Sequence, residues 1–177
     1  MSDRLGVPWM SLVNAGMVKA EREQMAFPMF DWRRHLVGVR IRGYDGKKWA
    51  LPGSRNGLFI PMNRKPEGWL FACEGPTDLA ALLSLGLDGF GRPSCTGGVE
   101  ESVRLVGVRP LVIVADGDGP GRDGAERLAT AMRKASRDKV IRIIEPMGRK
   151  DMREWLKDGA TRSIVEAVVK NTRDWTG

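Results

Sequence analysis

The sequence predicts an α/β fold: a mostly parallel sheet with helices on both faces, preceded by a small basic antiparallel β region. Three observations carry this. Two unbroken apolar runs, Trp69-Leu70-Phe71-Ala72-Cys73 and Leu111-Val112-Ile113-Val114-Ala115, are too short for amphipathic helices and read as buried strands. Helix-like stretches alternate with such runs, the pattern of parallel strands joined by crossover helices. Each run also ends in carboxylates, Glu74-Gly75-Pro76-Thr77-Asp78 after the first and Asp116-Gly117-Asp118 after the second. The carboxyl ends of parallel strands line one sheet edge, where ligands bind.

Residues 1–68 are expected to form a basic β-rich N-terminal region. From Phe27 to Pro61 the chain reads as short strands and turns. In Leu36-Val37-Gly38-Val39-Arg40-Ile41-Arg42 the alternation directs Val37, Val39 and Ile41 to a core and Arg40 and Arg42 outward. Tyr44-Asp45-Gly46-Lys47 supplies a hairpin turn, because Asp-Gly accepts positive φ, and Lys48-Trp49-Ala50-Leu51 returns. Residues 62–68 are polar and turn-rich and mark the boundary. Residues 69–177 then form the α/β domain. A helix over about 76–86 places Leu79, Leu82 and Leu83 on one face, with Pro76 tolerated in its first turn. A weak strand over 91–96, a short helix over 99–106 and the strand 111–115 follow. Ala125, Leu128, Ala129 and Met132 give the next helix, about 122–136, its apolar stripe. A strand over 140–144 and helices near 152–158 and 162–172 complete the chain.

Composition bounds the function. The 177 residues suffice for one well-buried domain. No apolar stretch reaches the roughly 18 residues of a membrane span, and the amino terminus has no signal-peptide pattern, so the expectation is a cytoplasmic protein without a membrane partner. Cys73 and Cys95 form no C-x-x-C pair and are read as buried thiols. Residues 1–68 hold 12 Lys and Arg against 6 Asp and Glu, whereas residues 69–177 hold 17 against 16. A basic lobe beside an acidic edge suits a polyanion; a solvated basic surface is the plainer reading. His35 is read as structural. Most of the six tryptophans are read as core, with Trp32 and Trp49 candidates for stacking on bases.

Converging carboxylates raise one another's pKa, and an all-oxygen donor set is relieved best by Mg²⁺ or Mn²⁺. Glu74, Asp116 and Asp118 are therefore the candidate catalytic and metal-binding residues. Asp78 is either a further metal group or a favourable charge at its helix's amino end. Asp151, with Glu154 three residues on, is either a metal group or a helix cap. Arg122 and Lys150 are candidate phosphate contacts, as are Arg40, Arg42, Lys47 and Lys48 in the basic lobe. Gly117, Gly119, Gly121 and Gly124 leave room for a phosphate. An EF-hand fails, because Arg127 falls at the twelfth loop position. Gly119-x-Gly121-x-x-Gly124 with Glu145 satisfies a dinucleotide fingerprint, but two aspartates directly before the glycines repel a pyrophosphate. No GxxxxGK[ST] loop is present.

Glu74-Gly75-x-x-Asp78 followed by Asp116-x-Asp118 resembles the Toprim domain, a Rossmann-like fold of bacterial primases, phage primase-helicases, topoisomerases and some nucleases. The run Ala115 to Leu128 resembles the primase version, and Lys150 to Leu156 is similar to the Lys-Asp segment of primase-helicases. The resemblance covers residues 69–158, and residues 27–61 resemble the end of the lobe that precedes Toprim in primases. It implies a Mg²⁺-dependent DNA primase-like nucleotidyltransferase of DNA replication. Single-stranded DNA or RNA and nucleotides are the implied ligands, with a helicase or other replication protein as partner. The alternatives it leaves are a Toprim nuclease and a non-catalytic nucleic-acid-binding module. The chain carries no zinc-binding module and little sequence before Toprim, which argues against autonomous primer synthesis. Tyr44, in a hairpin turn, is the only tyrosine and argues against a topoisomerase.

Overall fold

The computed structural model describes residues 2–20, 24–63 and 68–177. Two short helices, α1 (Ser2–Leu5) and α2 (Trp9–Asn14), open the chain. At four and six residues neither has a readable period; burial of Leu5, Val7 and Leu12 anchors this segment to the rest of the molecule. Strands β1 (Val18–Ala20), β2 (Gln24–Phe30), β3 (Leu36–Arg42) and β4 (Lys48–Ala50) pair antiparallel in that order. The β3–β4 turn falls where Asp45-Gly46 places it, with Gly46 at φ 88° and Arg42 opposite Lys48.

Arg40 and Arg42 do not face outward as expected. Arg40 lies opposite Phe27 and Arg42 opposite Met25, so the two arginines share a sheet face with side chains of the core. Both are half-buried there. Ile41, on the other face, is buried, while Val37 and Val39 are half-buried.

The second sheet is parallel and consists of β5 (Leu70–Glu74), β6 (Gly89–Arg92), β7 (Leu111–Val114) and β8 (Ile141–Ile144), in the order β6-β5-β7-β8. Its connections are α3 (Gly75–Ser84), α4 (Val99–Val106) and α5 (Gly119–Ala135), with α6 (Met152–Lys157) and α7 (Arg162–Asn171) at the end. Alternate strand residues serve two cores. Phe71, Cys73, Val112 and Val114 pack with Leu79 and Leu82 of α3, Trp155 of α6 and Val165 of α7. Leu70, Ala72, Leu111 and Ile113 pack with Leu128 and Met132 of α5 and Val106 of α4. Helices thus cover both faces.

Met25, Phe27 and Met29 of β2 belong to the first of these cores. Single bridges from Phe30 to Leu58 and from Phe59 to Gly91 also tie the two sheets through residues 58–59. Residues 64–67, where the sequence sets its boundary, lie outside the described residues.

Two element boundaries differ from expectation for a steric reason. β6 spans 89–92 rather than 91–96: its glycines tolerate close neighbours, since a Cβ on Gly91 would stand 2.6 Å from the Gly75 carbonyl, and Pro93 ends the ladder. α5 starts at Gly119, three residues early, because Asp118 caps it and the glycine run forms its first turn. Of the tryptophans only Trp155 is buried; Trp9 and Trp49 are exposed, and Trp69 is half-buried with the Arg142 guanidinium 4.8 Å from its ring. Cys73 is buried and Cys95 half-buried. His35 is exposed and 3.1 Å from Asp31 Oδ2. Among the described residues no helix is long and apolar enough to cross a membrane.

Candidate active site

The strand order β6-β5-β7-β8 reverses direction between β5 and β7. From β5 the chain turns into α3 over one face, and from β7 into α5 over the other, so the two connections diverge and leave a crevice at the carboxyl edge. Glu74 ends β5 and Asp116 follows β7. With Ala72 beside Ile113 in the ladder, the two carboxylates flank this crevice. The crevice widens into a cleft of about 570 Å³ lined by Glu74, Asp78, Asp116, Asp118, Asp151 and Glu154, and by Arg4, Arg40, Lys48, Lys150, Arg153 and Lys157.

Local structure fixes each acid. Glu74 is half-buried, and Gly75 at φ 80° turns the chain directly after it. Beside Glu74 in the β5–β6 register stands Arg92, 4% exposed, whose Nη1 donates to the Gly124 carbonyl at 3.4 Å. Burial lowers the pKa of Arg92, and Glu74 is the strongest opposing influence. Asp118 is exposed and accepts from the Gly121 amide at 2.9 Å, which makes it the cap of α5. Asp116 is half-buried. Its carboxyl is pushed up to about 7, first by burial and then by Asp78, Glu74, Asp151 and Asp118 in turn.

Asp78 and Asp151 are held differently. Asp151 caps α6 through the Glu154 amide at 2.9 Å, and Glu154 Oε2 accepts in return from the Lys150 amide at 2.9 Å. The Arg153 guanidinium pairs with Asp151 Oδ2 through Nη2, and its Nε lies 3.5 Å from Asp78 Oδ1. The Arg153 amide also donates to Asp78 Oδ1 at 3.3 Å. Burial pushes Asp78 up to about 6, with Arg153 opposing the rise and Asp151 adding to it.

The candidate phosphate contacts divide. Arg40, Lys48 and Lys150 line the cleft. Arg42 is not among the residues lining it; burial and then Arg153 lower its pKa, while Asp78 raises it. Lys47 is at the exposed hairpin tip, 3.4 Å from Asp45, away from the cleft. Arg122 is also outside the cleft, held by both oxygens of Glu145 at 2.8 and 2.9 Å and by the Gly117 carbonyl. The glycines expected to admit phosphate mostly admit protein: a Cβ on Gly121 would meet the Asp116 carbonyl at 2.6 Å, and one on Gly124 the Cys95 carbonyl at 2.4 Å. The dinucleotide reading loses support on the same geometry. Asp118 occupies a first-turn amide that a pyrophosphate would need, and Glu145 is spent on Arg122.

The donor chemistry fits a hard divalent cation, because the acidic side chains lining the cleft are all carboxylates and Asp116 carries a burden that a cation would relieve. Among the described residues, however, no three acidic, His or Cys side chains are gathered closely enough to form a ready-made cage. Arg92 and Arg153 went unread in the sequence. Arg153 lies two residues past Asp151 at the start of a six-residue helix, where periodicity cannot say which face turns inward.

No model of a known family matches the chain, and no curated protein matches it. Solved structures do. The primase fragment of the bacteriophage T7 primase-helicase protein superposes with TM-score 0.70 at 17% identity, over 94% of this chain and 72% of that one. The Aquifex aeolicus primase, with zinc-binding and RNA polymerase domains, gives TM-score 0.69 at 17% identity over 94% and 46%. A DnaG primase catalytic domain bound to ssDNA gives 0.67 at 20% over 98% and 64%. The chain therefore spans about half of the Aquifex protein and just under two thirds of the DnaG domain. These likenesses extend across both sheets, and the chain has the primase-type Toprim fold.

Proposed function

We propose that the cleft is a Mg²⁺-dependent nucleotidyl-transfer site of the DNA primase kind, acting on single-stranded nucleic acid in DNA replication. The observation that carries this reading is the placement of Glu74 and Asp116 across the crevice between β5 and β7, with Asp118 beside them and Arg40 and Lys48 lining the same cleft. The likeness to a DnaG domain bound to ssDNA supports the choice of ligand.

Arg40, Lys48 and Lys150 attract the phosphate backbone and fix its path along the cleft. Asp116 and Asp118 are the residues that would hold the ion, and Glu74 either completes the set or takes the proton of the attacking hydroxyl on its carboxylate. When bound, the ion supplies charge stabilisation on the transferring phosphoryl oxygens. Arg92, buried beside Glu74 in the β5–β6 register, adds a positive charge near that carboxylate. Asp116, with its raised pKa, must give up its proton to hold an ion, so ion binding should tighten as pH rises through neutrality.

The test is one reaction containing end-labelled single-stranded DNA, ribonucleotides and Mg²⁺ or Mn²⁺, run beside Asp116→Ala/Asp118→Ala. New oligonucleotides absent with the double variant support synthesis. Shortened substrate instead identifies a nuclease using the same carboxylates. No product from a folded, DNA-binding wild type would replace the enzymatic reading with a binding module.

A further inference from the structure

Two groups of carboxylates share the cleft, but only one is ion-paired by a cation of the chain itself. Asp78 from α3 and Asp151 at the start of α6 are 6% and 4% exposed, and buried carboxylates persist as anions only with a partner. Arg153 is that partner for both, through Nη2 to Asp151 Oδ2 and Nε 3.5 Å from Asp78 Oδ1. The rigid, planar guanidinium hydrogen-bonds Asp151 while lying within ion-pair reach of Asp78, a spread that the compact ammonium on a flexible lysine stem matches less well. The clamp is doubly anchored, because the Arg153 amide reaches Asp78 and the helix that carries Arg153 is capped by Asp151. By contrast, among the described residues no ion pair engages Glu74, Asp116 or Asp118.

We propose that Arg153 is a resident cation that takes the place of a second divalent ion, so that the chain binds one ion at Glu74, Asp116 and Asp118 and excludes another from Asp78 and Asp151. The inference rests on reading the Glu74 group as the metal-binding half. A divalent ion approaching Asp78 would have to displace a guanidinium held by its own helix, and the two positive charges would repel in a poorly solvated corner. Arg153 is thus a specificity-determining residue for metal count.

The test counts Mn²⁺ bound per chain, with free ion read by electron paramagnetic resonance and folding checked by thermal unfolding. Wild type should bind one ion, Asp116→Asn/Asp118→Asn none, and Arg153→Met two, the second lost again when Asp78→Asn is added. Arg153→Lys, which keeps the charge but not the fork, should admit the second ion only weakly. Two ions on the wild type, or a single ion on folded Arg153→Met, would overturn the proposal. The wild-type count decides even if Arg153→Met fails to fold. No ion on the wild type but one gained in Arg153→Met and lost with Asp78→Asn would leave the role of Arg153 standing and refute the reading of the Glu74 group.

Discussion

Asp78 and Asp151 lie on the α3–α6 side of the cleft, buried and bridged by Arg153, whereas Glu74, Asp116 and Asp118 stand at the ends of β5 and β7, half-buried or exposed, with no ion pair to any of them among the described residues. The first group has a covalently attached cation between its two carboxylates, and one of them, Asp151, also caps α6. The second group is left in deficit, and the strain appears in Asp116, whose carboxyl is pushed up to about 7 by burial and by the acids around it. A fold that supplies one acidic pair with an internal cation and leaves the adjoining group without one marks the second as the place for an external cation.

The largest way to break the contrast is to remove its internal counter-ion. Arg153→Ala strands two buried carboxylates and should cost about 3 kcal/mol of unfolding free energy above neutral pH, read by urea denaturation. The cost should shrink at pH 5, where Asp78 can take up a proton, so a pH-independent loss would contradict the account.

The converse substitution relieves a charge in place of stranding one. Asp116 has a folded pKa raised from 3.8 to about 7, so the folded state holds a proton that the unfolded chain releases between those values. Stability should therefore be fully present below about pH 4 and fall as pH rises through 7 in the presence of a chelator. Asp116→Asn should remove that decline and stabilise the metal-free protein at pH 8 by roughly 2 kcal/mol, after discounting the solvated side of the group. A wild-type curve that rises between pH 4 and 7, with no change in its slope on Asp116→Asn, would count against the site as described.

The smallest effect sharpens the difference inside the open group. Asp118 caps α5 through the Gly121 amide, so Asp118→Ala should cost about 1 kcal/mol in the same denaturation experiment, whereas Asp118→Asn should cost less because the amide oxygen still accepts. Equal losses would mean that the cap contributes little.

Much of this was legible in the sequence because the signals were local. The runs at 70–74 and 111–114 are continuous and apolar, and the carboxylates that follow them needed only the strand reading to be placed at one edge. The facing of Arg40 and Arg42 was not legible, since alternation gives two faces without saying which one a second sheet covers; Met25, Phe27 and Met29 decide it through β2. The start of α5 at Gly119 was not legible, because glycine has low helix propensity; at Gly121 and Gly124 close approach to Asp116 and Cys95 is what the residue provides. Arg153 is the instructive miss. It pairs with Asp151, two residues before it, and with Asp78, 75 residues away, and nothing in its own neighbourhood encodes the second meeting.

The measurement that bears most directly on the unbalanced group is the melting temperature of wild type and of Asp116→Asn titrated with Mg²⁺ or Mn²⁺. A cation that binds the folded chain at a hundred times its dissociation constant contributes about 2.7 kcal/mol, a rise of several degrees. The account predicts that rise for wild type, saturating with ion concentration, and little or none for Asp116→Asn. The same rise in both proteins, or in neither, would contradict it.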